Sequence, residues 1–287
     1  EFHEQYFLNC FSFALQSGVR KFIIDSEQQM HMVASANSPQ PISLLVRIRN
    51  KMPAGKNMPY PQLSSFGVSI PEAFSLLQKA SRLPQVKELG VHIHTATQNI
   101  SARGWQSAMA KLEHLLIRLK KQDMTIGCLD IGGGFPIAYA DHKAPSIKAI
   151  AALLKKPLSR FRGMFPGMKL FLEPGRFLVG PAGILLSRVI RVEQQGKERI
   201  ITIDTSLYNG TLDTLIVGLQ LPLVTSAKGQ LCRQTIRGNS PDSMDVFRKN
   251  IMMPEAKMGD LIVFLNAGAY PYSSDFYEME KPGVVML

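Results

Sequence analysis

From about residue 20 to 180 the chain alternates short apolar runs with amphipathic stretches of helical period. The runs at 21–25, 44–49, 90–95, 126–131 and 169–173 have the length and apolar content of strands. Between them, 71–81, 105–121 and 146–160 place apolar residues three and four apart, and Pro71 stands where a first helical turn accepts it. Residues 6–18 also read as a helix. Strand and helix in regular alternation predict βα units around a parallel sheet. Beyond residue 181 the texture changes to β-rich runs at 184–192, 199–204, 230–237 and 260–265, which predicts a second, all-β domain. The expected division is therefore 1–180 and 181–287. About five βα units precede the β domain, whereas a closed (β/α)8 barrel needs eight. The expected fold is an α/β barrel, incomplete at its amino terminus, followed by a β domain.

The 287 residues and 45% hydrophobic content suffice for a real core. The formal charge of +11 raises the question of a nucleic-acid partner. The basic residues, however, come in dispersed pairs such as Lys120-Lys121 and Lys155-Lys156, the pattern of solvated helix faces, so no specific nucleic acid is expected. No apolar run approaches the roughly 20 residues of a membrane span, and the first residues lack the order of a signal peptide, so the expected location is the cytoplasm. Cys10, Cys128 and Cys232 show no CxxC spacing; reduced thiols are expected, with neither disulfide nor metal.

Chemically loaded residues fall at the carboxyl ends of the strands: Arg47, His94, Asp130 with the glycines behind it, and Glu173 with Arg176. That is where a (β/α)8 barrel keeps its active site. Residues 129–136 read LDIGGGFP; a strand ending in glycines can crowd backbone N–H groups round a phosphate, and it can equally be a tight turn. His92 and His94 are two residues apart on one strand and point the same way.

Four segments combine: DIGGGFP at 130–136, EPGR at 173–176, GVHIH at 90–94 and GDLIVFLNAGAY at 259–270. In this order they resemble the pyridoxal-phosphate-dependent ornithine, arginine and diaminopimelate decarboxylases of the alanine-racemase-like fold, over nearly the whole chain. The resemblance implies pyridoxal 5'-phosphate as cofactor and assigns roles. Gly132, Gly133 and Gly134 would supply backbone donors to its phosphate, with Gly175, Arg176 and Tyr270 completing the shell. Glu173 would face the ring nitrogen and His94 would stack on the ring. The hydroxyl of Thr97 would be a further phosphate donor or an ordinary loop group. Glu173, His94 and Asp242 are the expected catalytic residues.

Residues 238–245, GNSPDSMD, resemble the family's Gly-x-x-Cys-Asp-x-x-Asp loop, which reaches into a neighbouring subunit's site. Pro241 replaces the cysteine, which is linked in family members to reprotonation. Asp242 and Asp204 match the acidic pair that receives the distal ammonium of a basic amino acid, which favours an ornithine- or lysine-like substrate with diaminopimelate also open. A homodimer with shared active sites is implied. The stretch 271–278 departs from the family after GAY. The sequence contains no Tyr-x-x-Lys-x-Asn segment, the family's carrier of the cofactor-linking lysine. The lysine is therefore expected upstream, in a longer protein or in a separate fragment completing the barrel. The alternatives are a catalytically inactive, decarboxylase-like regulatory or binding protein and a racemase of the same fold.

Overall fold

A computed structural model describes residues 2–35, 40–50, 66–196, 198–270 and 279–286. The family-divergent stretch 271–278 lies outside the described residues. The described chain forms two compact units, the first taking 2–50, 66–135 and 145–174, the second taking 136–144 and everything from 175 onward. The division thus falls inside the EPGR motif, between Pro174 and Gly175, and the residues just after the glycine loop belong with the β-rich unit.

The first unit carries five parallel strands in sequential order: β1 (Lys21–Ile24), β2 (Ile42–Ile48), β3 (Val86–Ile93), β4 (Cys128–Asp130) and β5 (Lys169–Phe171). Its helices are α1 (Phe2–Gln16), α2 (Glu27–Ser35), α3 (Ile70–Ala80), α4 (Ala102–Lys120) and α5 (Ile147–Met164). Strand β2 is buried along nearly its whole length, as expected of a parallel strand covered on both faces. Helix α3 starts where its sequence says it should: the Ser69 side chain accepts from Glu72 N–H, the Glu72 carboxylate accepts from Ser69 N–H, and Pro71 fills the first turn. Its buried Phe74 and Leu77, with Leu112, Leu115 and Leu116 of α4, supply apolar burial worth roughly 1.5–3 kcal/mol per large side chain.

Beyond 136–144 the second unit contains the short helix α6 (Gly175–Val179) and is built on a six-stranded sheet of order β10-β9-β7-β6-β11-β8. These strands are β6 (Leu185–Gln195), β7 (Glu198–Ile203), β8 (Leu223–Thr225), β9 (Leu231–Arg237), β10 (Val246–Pro254) and β11 (Leu261–Phe264). All neighbours run antiparallel except β7 and β9. Val189, Ile201, Ile203, Ile236, Phe247, Ile262 and Phe264 form its core. The buried Gln234 is fully engaged, donating to the Pro254 carbonyl at 2.9 Å and accepting from Ala256 N–H at 3.1 Å. No helix among the described residues is long and apolar enough to cross a membrane.

Candidate active site

In the first unit, register sets the chemistry. Arg47 of β2 pairs with His92 of β3, which pairs with Asp130 of β4, so a cation, an imidazole and a carboxylate lie side by side at the carboxyl ends of three adjacent strands. Glu173, two residues beyond β5, brings its Oε2 to 3.5 Å from His92 Nε2 and 4.0 Å from His94 Nδ1. Asp25, Arg47, Phe66, His92, His94 and Glu173 line a cavity of about 280 Å³. The Glu173 side chain is 46% exposed, while that of His92 is 3% exposed.

The glycine loop is locked against this cluster. Gly132 N–H donates to Asp130 Oδ1 at 2.8 Å and Gly133 N–H donates to His94 Nδ1 at 3.2 Å. Glu173 N–H donates to the Gly132 carbonyl at 2.9 Å, and the Thr95 hydroxyl donates to the Gly133 carbonyl at 2.8 Å. Two of the three glycine N–H groups expected to serve a phosphate are therefore engaged by neighbouring side chains; Gly134 is the partly exposed member of the triplet. Gly134 adopts φ +93°, and a Cβ there would stand 2.1 Å from the Ala96 carbonyl oxygen. Gly134→Ala is expected to destabilise the first unit by about 1–3 kcal/mol, from strain and overpacking together. Denaturant unfolding checks this, and an unchanged midpoint refutes it. Thr97 sits half-buried in the turn after β3, between Ala96 and Gln98, two non-glycine residues at positive φ of 91° and 52°.

Burial and the Arg47 charge hold the His94 imidazole below its ordinary range, with Glu173 opposing. Burial pushes His92 down to about 4; Asp130 opposes this, and Arg47 and His94 add to it. Burial raises the Asp130 carboxyl, with the Gly132 N–H opposing and Glu173 adding to the rise. A histidine depressed in the fold is protonated first in the unfolded chain. Its contribution is therefore complete above pH 6.5 and is lost as pH falls toward about 4. The loss is about 3 kcal/mol across that window, partly offset at the acid end by Asp130, whose raised value acts in the opposite sense. Denaturant midpoints measured from pH 7 to 4 should show this slope, and His92→Gln should flatten it.

In the second unit Gly175, Arg176 and Tyr270 come together, the Arg176 guanidinium lying 5.2 Å from the Tyr270 ring centre. Arg176 is buried and makes a two-pronged pair with Asp213, at 2.7 and 2.9 Å, and a 3.0 Å bond to the Tyr139 hydroxyl. Neither Asp213 nor Tyr139 stood out in the sequence. The expected acidic pair is fixed by two different sets of bonds. Asp204 accepts from the Ser187 hydroxyl at 2.6 Å and Arg188 N–H at 2.8 Å. Asp242 accepts from Met244 N–H at 2.8 Å and the Tyr208 hydroxyl at 2.7 Å, which hold its carboxyl below the usual range. The loop bearing Asp242 and Pro241 is pinned by buried Asp245, which accepts from Leu207 N–H at 2.9 Å and Ser240 N–H at 3.0 Å.

Residues 8–180 match the family model described as pyridoxal-dependent decarboxylase, pyridoxal binding domain. The chain belongs to this decarboxylase family. It is 27% identical over 258 residues to a lysine/ornithine decarboxylase of Selenomonas ruminantium, covering 90% of this chain and 63% of that protein. It is 25% identical over 270 residues to a diaminopimelate decarboxylase of Zymomonas mobilis, covering 90% and 62%. Among solved structures, SrLDC in complex with PLP and cadaverine superposes with a TM-score of 0.77 at 26% identity, covering 93% of this chain and 66% of that one. The chain therefore spans less than two thirds of the length of each of these decarboxylases. Its sequential parallel strands and its separate β unit are the barrel and β domain of the alanine-racemase-like fold.

Proposed function

We propose that the chain is the greater part of a pyridoxal-phosphate-dependent decarboxylase acting on a basic L-amino acid. The observation that carries this reading is the approach of the Glu173 carboxylate to two imidazoles at the mouth of the glycine loop. The residues present fit the cofactor. A half-exposed carboxylate facing a cavity beside low-pKa histidines suits a protonated ring nitrogen, and buried His92 has both ring nitrogens without a hydrogen-bond partner among the described residues. When bound, pyridoxal phosphate supplies an electron-accepting ring for the charge left as a carboxylate departs as CO2. Glu173 would hold the proton at the ring nitrogen. His94, its Nδ1 fixed by Gly133 N–H, would present its ring face. Gly134 and Thr97 of the first unit would serve the phosphate.

Asp242, kept anionic by its two hydrogen bonds, would receive a distal ammonium group, with Asp204 as the second carboxylate. This supports an ornithine- or lysine-like substrate, with diaminopimelate next, handled by a homodimer whose 238–245 loop serves its neighbour. Equilibrium dialysis of the 287-residue chain against pyridoxal 5'-phosphate tests the cofactor. Release of CO2 from ornithine, lysine, arginine and diaminopimelate by the protein carrying the lysine segment tests the reaction. Binding with release from a basic amino acid supports the reading. Binding without release from any of the four favours a decarboxylase-like binding protein, interconversion of enantiomers without release favours a racemase, and absence of binding overturns the cofactor assignment.

A further inference from the structure

We infer that His92 is the positioning residue for Glu173: its Nε2–H turns the carboxylate so that one oxygen is held by the imidazole and the other faces the ring nitrogen. The inference rests on the reading of this cavity as a pyridoxal phosphate site. His92 is 2% exposed, and neither of its ring nitrogens has a hydrogen-bond partner among the described residues. A buried donor left unsatisfied costs about 1–3 kcal/mol. The nearest remedy is Glu173 Oε2 at 3.5 Å, on a half-exposed side chain that closes the gap by moving a few tenths of an ångström.

The two histidines divide the work. Gly133 N–H donates to His94 Nδ1, so that nitrogen carries no proton, and its 4.0 Å approach to Glu173 cannot be a hydrogen bond. His92 is the imidazole with a donor to give. The groups around it are Arg47 on β2, Asp130 on β4, His94 just past the end of β3, and Glu173 beyond β5. Asp130 accepts from Gly132 N–H through Oδ1 and makes no hydrogen bond to His92. With its value near 4, His92 is neutral at working pH. It therefore steers the carboxylate without adding a positive charge that would compete with the protonated ring for it.

The test uses pyridoxamine 5'-phosphate, a ligand that needs no linking lysine. Its affinity for the 287-residue chain is read by calorimetry, and the protonation of its bound ring by absorbance against pH. His92→Phe should lower the ring-nitrogen pKa by about one unit and weaken binding about tenfold below neutral pH. His92→Gln, which keeps a donor at similar reach, should stay within about threefold of the wild type by the same relation. Equal titration and affinity in wild type and His92→Phe overturn the inference, as does His92→Gln failing like His92→Phe. If His92→Phe does not fold, the wild type decides through 15N-labelled imidazole. Binding should shift the His92 Nε2–H resonance downfield, and an unmoved resonance overturns the inference. If the wild type binds no pyridoxamine 5'-phosphate, the site reading falls and this inference with it; binding indifferent to His92 overturns the inference alone.

Discussion

Asp213→Ala is expected to destabilise the second unit by about 3–5 kcal/mol, the largest stability effect that the fold implies. Arg176 is buried, and its two bonds to Asp213 are charge-assisted and two-pronged, the strongest arrangement open to a guanidinium. Removing the carboxylate leaves a cation that burial penalises, while its 3.0 Å bond to the Tyr139 hydroxyl replaces none of the lost charge. Asp213→Asn keeps the shape and one acceptor, so its cost should be smaller. The double change Arg176→Met with Asp213→Leu removes both charges and should recover most of the loss, because an apolar replacement of a buried pair is often neutral. Denaturant unfolding of the single and double variants decides the matter. Additive losses in the double variant would show that the pair does not act as a unit. The pairing also constrains function: a phosphate held by Arg176 must share the guanidinium with Asp213, so Asp213→Asn should bind inorganic phosphate more tightly than the wild type.

Much of the first unit is legible in the sequence because its signals are local. The apolar runs of β1 to β5 are bounded by polar residues, and Ser69 with Pro71 marks the start of α3. Helix α2, over Glu27–Ser35, has a start signal too, the Ser26 hydroxyl accepting from Gln29 N–H at 3.1 Å, but its glutamines, histidine and methionines form no clean stripe, so periodicity passes over it. Strand β10 is missed for a different reason: Lys249 and Asn250 are exposed, Asn250 takes a φ of 53°, and the ladder shifts register there, which breaks the period-two pattern. At the candidate site, motifs single out Glu173, His94 and the glycines. Asp213 lies 37 residues from Arg176 in sequence, and only the folded chain brings them together. The same holds for the two histidines. Alternation places both on one face, while burial and the Gly133 bond decide which of them has a proton to donate.

Glu173→Gln should lower CO2 release by the lysine-bearing protein by about 100- to 1,000-fold, roughly 3–4 kcal/mol of lost stabilisation where charge develops. The amide matches the carboxylate in size but carries no charge, so it cannot favour the proton at the ring nitrogen, and the ring then accepts electrons poorly. The fold should hardly notice. The side chain is half exposed, the Glu173 N–H bond to the Gly132 carbonyl belongs to the backbone, and surface changes of this kind stay within about 0.5 kcal/mol. The loss should therefore appear in kcat, with KM little altered, since distal recognition is assigned to Asp242 and Asp204 on another element. Asp242→Asn should show the opposite division, raising KM for ornithine or lysine more than it lowers kcat. If Glu173→Gln retains kcat within a few-fold, the carboxylate does not govern the ring nitrogen. The short approach of Glu173 to His92 would then be a packing feature of the barrel mouth rather than part of its chemistry.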